Sequence, residues 1–120
     1  MTEYRYTTED RREQLAQLSR AIAGLLPVLK RLPEFQPALE VYAAAQRQAE
    51  VLRAGGFTPE QLAALGHAVP DLLYRHKEWE PPAVRQPDGT SVTAPWFTEL
   101  DEELQAVLAA ARLLYTLGYY

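Results

Sequence analysis

Leu15-Ala16-Gln17-Leu18-Ser19-Arg20-Ala21-Ile22-Ala23-Gly24-Leu25-Leu26-Pro27-Val28-Leu29-Lys30-Arg31-Leu32 is the stretch that decides the fold. Leu15, Leu18, Ile22, Leu25, Leu29 and Leu32 recur at spacings of 3, 4, 3, 4 and 3. That rhythm lays one apolar seam along a helix. Just upstream, Thr7-Thr8-Glu9-Asp10 is a start signal: a threonine oxygen accepts the orphan amides and the acids sit at the positive end of the helix dipole. Pro27 lies off the seam, where it crowds the carbonyl of Ala23 and should bend the helix rather than end it.

The same rhythm returns downstream. After the connection Leu32-Pro33-Glu34-Phe35-Gln36-Pro37, a second helix presents Leu39, Tyr42, Ala45, Ala49 and Leu52 and stops at Gly55-Gly56. Thr58-Pro59-Glu60-Gln61 opens a third, with threonine as cap, proline at the first position and glutamine closing a capping box. Leu62, Leu65, Val69, Leu72, His76 and Trp79 form its seam. Pro70 disfavours helix at Val69 and collides with the carbonyl of Gly66, so a kink or break is expected between Gly66 and Pro70. A fourth seam runs through Phe97, Leu100, Leu104, Val107, Ala111 and Leu114, with Glu99, Asp101, Glu102 and Glu103 near its start and Gly118 as its stop. The expected spans are 8–32, 37–54, 59–78 and 95–117. They predict an all-α, single-domain four-helix bundle over residues 1–120, with a kinked third helix. The connections between the first three helices are short, so consecutive ones should run antiparallel. The long connection before the fourth leaves its direction open.

That connection, Trp79 to Trp96, holds four of the nine prolines and both tryptophans. A non-helical segment of this length in a small domain is commonly a binding element or a linker, and the flanking tryptophans favour binding. Residues 83–93 carry a weak hairpin signal around Pro87-Asp88-Gly89. Glu3 to Thr7 shows a second, minor alternation.

Composition narrows the function. The net charge of −4 and the absence of cysteine argue against a nucleic-acid binder and exclude thiolate chemistry. No apolar run approaches a membrane span, and the N-terminus has no signal pattern. A cytoplasmic location is expected. The abundance of arginine, alanine and leucine suggests a GC-rich bacterial source. Neither His67 nor His76 has a glutamate three residues before it, so the di-iron bundle pattern is absent. Glu99 and Glu102 read as surface acids. Ser19 and Ser91 lack a nucleophile elbow, and no glycine-rich phosphate loop is present. No catalytic residue, metal site or cofactor is expected, and the chain is read as a non-enzyme.

The candidate binding patch is Trp79, Trp96, Phe97, His76, Arg75 and Arg85, since aromatics with arginine are the usual interface anchors. The other reading of these aromatics is a plug closing the core beneath the loop. His67 should form a surface pair with Asp71. Tyr115, Tyr119 and Tyr120 are candidate homodimer contacts. The leading expectation is a small bacterial protein–protein interaction module of adaptor, inhibitor or immunity type, or a phage or operon accessory, with an unknown protein partner. The alternative is a ligand-binding regulatory bundle with a pocket under the 79–97 loop. Third comes DNA binding, because Thr58 to Gly66 followed by Asp71 to Glu78 superficially resembles a helix-turn-helix. It departs from that pattern at Leu62, where a small residue is favoured, and its second helix is only modestly basic.

Overall fold

In a computed structural model the chain is mostly helical, and the residues it describes are 6–71 and 83–116. α1 spans Thr8–Lys30, α2 Gln36–Gly55, α3 Pro59–Ala68 and α4 Pro95–Tyr115. A single 3-10 turn, Pro33–Phe35, joins α1 to α2, and a two-stranded sheet precedes α4.

α1 begins where its sequence says. The Thr7 hydroxyl accepts from the Asp10 amide at 3.0 Å, and the Asp10 carboxylate accepts from the Thr7 amide at 2.9 Å. The helix continues through Pro27. Ala23 and Pro27 are both exposed, so the carbonyl that loses its donor faces water. Leu15, Leu18, Ile22, Leu25 and Leu29 are fully buried.

α1 carries a helix on each side. Gln36 Nε2 donates to the Leu29 carbonyl at 2.9 Å, and Gln46 Nε2 to the Ser19 carbonyl at 3.1 Å. Ascending α2 therefore descends α1, and the pair is antiparallel. On the other side Arg31 pairs with Glu99, while Arg11 donates to the carbonyls of Leu113 and Thr116, each at 2.9 Å. The direction left open by the sequence is settled: α4 also runs antiparallel to α1. Its inner seam, Phe97, Leu100, Leu104, Val107, Ala111 and Leu114, is buried throughout. α4 starts at Pro95, the expected first residue, with Ala94 as its cap and no side-chain cap bond.

α3 packs mainly on α4. A Cβ placed on Gly66 would lie 2.6 Å from the Ala111 carbonyl oxygen and 2.9 Å from the Tyr115 ring. Glycine is required there by the close approach of two helices. The helix ends at Ala68 because Val69 is extended, ψ 114°, ahead of Pro70. The Tyr42 hydroxyl donates to the Pro70 carbonyl at 2.7 Å and ties this end to α2. The second half of the expected third helix, with His76 and Trp79, falls outside the described residues, as do Glu3 to Arg5 and Gly118.

Gly66→Ala should destabilise by about 1–3 kcal/mol, because backbone and a buried leucine bound the space. Gly24→Ala should be neutral or stabilise by up to about 1 kcal/mol, since a Cβ there meets only the movable end of Glu103. Leu25→Ala and Leu104→Ala should each cost about 2–5 kcal/mol, and Thr58→Ala about 1 kcal/mol. Urea unfolding followed by circular dichroism measures all five.

Candidate functional site

The segment before α4 is a hairpin. β1 spans Ala83–Arg85 and β2 spans Ser91–Thr93, paired antiparallel with Val84 opposite Val92. The turn is built by its own residues. Gly89 donates to the Gln86 carbonyl at 3.0 Å and adopts φ 92°, which only glycine does without strain. Gln86 donates to the Thr90 carbonyl at 2.7 Å, giving a type I turn closed by a glycine bulge. The Asp88 carboxylate accepts from the Thr90 amide at 2.9 Å and from its hydroxyl at 2.6 Å. These bonds hold the Asp88 carboxyl below its ordinary value.

Every residue of the two strands is exposed. Val84 is 46% and Val92 42% exposed. Among the described residues each strand packs extensively only on the other, and no helix offers either one a face.

β2 leads through buried Ala94 directly into Trp96. The indole meets Phe97 edge-on at 6.1 Å and Phe35 at 6.5 Å with a 48° tilt. Phe97 is buried in the core, while Trp96 remains 36% exposed. Beside the indole lies a hollow of about 200 Å3, lined by Val28, Arg31, Leu32, Trp96 and Glu99. Its two charged residues neutralise one another.

The structure thus brings Trp96 and Phe97 together and divides their roles: Phe97 is core, and Trp96 is both support and surface. Arg85 is exposed on β1. Trp79, His76 and Arg75 lie outside the described residues. Phe35, Arg31 and Glu99 were not among the sequence candidates. Phe35 carries a signal only in retrospect, as a lone aromatic between Pro33 and Pro37. Glu99 was read as a surface acid, and its pairing with Arg31 depends on the direction of α4.

Of the candidate dimer tyrosines, Tyr115 is 38% exposed and stacks on His67 at 4.1 Å. Tyr119 and Tyr120 lie outside the described residues. His67 is exposed, and its ring partner is Tyr115 on α4. Among the described residues no cluster of three acids or histidines could hold a metal ion. No described helix is long and apolar enough to cross a membrane. Comparison with protein-family models, curated proteins and solved structures finds no match.

The turn makes its own pH prediction. A lowered native pKa means that the ionised Asp88 contributes to the turn above the ordinary aspartate value, and that this contribution fades as pH falls through the native value. The Thr90 amide shift should therefore titrate with a midpoint below 3.8, and Asp88→Ala should abolish the transition. A midpoint at or above that value would show the turn bonds unformed in solution.

Proposed function

We propose that this chain is a small, non-catalytic protein–protein interaction module that reaches its partner with the hairpin and the tryptophan at its base. The observation that carries the reading is the exposed Val84–Val92 pair on a hairpin that no described helix supports. A lone two-stranded hairpin is marginal in water. Its valine pair and its edges, unpaired among the described residues, gain most from a second chain laid against them. Trp96, held on one side by Phe35 and Phe97, adds an aromatic anchor whose orientation is fixed before binding.

The ligand-binding alternative asks for a cavity of roughly 300 Å3 or more with converging polar groups. Beside Trp96 the described residues leave a hollow of only about 200 Å3 whose polar groups are spent on each other, and the larger grooves of the described surface lie on the helices away from the 79–97 loop. The helix-turn-helix reading needs a second helix from Asp71, beyond what the structure describes. The architecture assumed is a four-helix bundle whose third helix is kinked or broken between Gly66 and Pro70. The cellular setting assumed is the bacterial cytoplasm, with an adaptor, inhibitor, immunity-type or operon-accessory role.

The test is capture from an extract of the native host. Val84→Lys with Val92→Lys should keep the helical circular dichroism and unfold within about 0.5 kcal/mol of wild type, as exposed substitutions do. It should lose the protein that wild type retains, and Trp96→Ala should weaken the same capture. The reading fails if the folded lysine variant retains that protein unchanged. If Trp96→Ala unfolds the chain, the indole is a plug and not an anchor.

A further inference from the structure

A second surface, separate from the hairpin, has a partner written into it. α4 carries an outer stripe opposite its buried seam: Glu102, Ala106, Ala109, Leu113 and Thr116, at spacings of 4, 3, 4 and 3. Ala106 and Ala109 are exposed and Leu113 is half-buried. With Gln17 and Ala21 of α1, they line an open and mainly apolar groove of about 540 Å3. Alanine side chains leave room for another helix to approach at the short end of the usual 8–10 Å range.

The charges on this face say which helix. Arg112 lines the groove, and Glu102 stands at the far end of the stripe. Both are exposed. Arg20, Arg31, Arg47 and Arg53 each hold a glutamate of their own chain. Arg112 and Glu102 have no such ion pair among the described residues. At 1.5 Å per residue, a two-fold axis midway between Ala106 and Ala109 lies about 7 Å from Arg112 and about 8 Å from Glu102, in opposite directions. An antiparallel α4 from a second copy therefore brings each Arg112 level with Glu102 of the other copy, twice over. Parallel pairing sets arginine on arginine and glutamate on glutamate. Charge at an interface rim selects orientation in this way, and a self-complementary patch closes into a two-fold dimer.

We infer that the α1–α4 groove is a homodimer interface, in which two copies of this chain join α4 to α4 antiparallel across Ala106 and Ala109, with Arg112 of each meeting Glu102 of the other.

Sedimentation of the full chain at micromolar concentrations tests it. Wild type should sediment as a dimer of 13.6 kDa chains. Glu102→Arg alone and Arg112→Glu alone should each weaken the dimer about tenfold or more in Kd. The double exchange should restore it, because the pair is re-formed with its signs reversed. Circular dichroism identical to wild type shows that each variant is folded. A wild type that remains monomeric up to about 100 μM, a dimer indifferent to both single exchanges, or a double exchange that does not recover would each overturn the proposal. None of these results touches the hairpin reading, since Val84, Val92 and Trp96 lie outside the groove.

Discussion

The molecule depends on α1 remaining one helix. Its five fully buried seam residues, Leu15, Leu18, Ile22, Leu25 and Leu29, supply the surface on which both α2 and α4 lie. A break at Pro27 would separate the half holding the Gln46 and Arg11 contacts from the half holding Arg31 and Gln36. It is avoided because proline sits on the wet side. The ring removes one hydrogen bond, but water can serve the carbonyl of exposed Ala23. On the inner face the same proline would leave that carbonyl buried and unpaired, at a cost of about 1–3 kcal/mol in addition to the kink.

Helix ends are capped by neighbours in space as much as by neighbours in sequence. The Gln36 side-chain amide lies within hydrogen-bond reach of the carbonyls of Leu29 and Lys30, in the last turn of α1, and of Leu32 just beyond it. Arg11 does the same for α4, with the Tyr6 ring 4.8 Å from its guanidinium carbon. Burial there draws the guanidinium below its ordinary value, without approaching the range where it loses its charge. At the opposite end of α1, Arg31 holds Glu99 while Phe35 holds Trp96. Trp96 is thus positioned by the same contacts that fix the start of α4, although 36% of it stays exposed.

The helices were legible because each carries its information locally. Seam spacing, the Thr7 and Thr58 capping boxes and the Gly55-Gly56 stop all lie within a few residues of what they determine. The hairpin turn was legible for the same reason, through Pro87-Asp88-Gly89. The pairings of distant residues were not. Nothing around Phe35 points to Trp96, and nothing around Arg11 points to the carbonyls of Leu113 and Thr116. Gly66 was read as an interruption of its own helix, whereas its reason is the backbone of α4 at Ala111. The candidate site suffered most, because it is made of the junction between α1, the following turn and α4. Trp96 and Phe97 could be named in advance, whereas Phe35, Arg31 and the role of Glu99 could not.

The two proposed surfaces sit at different places on α4, and that has a consequence. The hairpin joins the helix at its first turn, through Thr93 and Ala94, while the outer stripe is centred near Ala106 and Ala109. An antiparallel pairing of two such helices sends their first turns to opposite ends of the dimer. Each α4 has 21 residues, about 30 Å of helix, so the two hairpins would point away from one another. Two arms so placed cannot close together on one small target, and the gain in avidity that comes from gripping a single partner twice is lost when geometry forbids it. They suit a target that is long or repeated, or two separate partner molecules. A dimer of this kind would bridge its partners rather than clamp one of them.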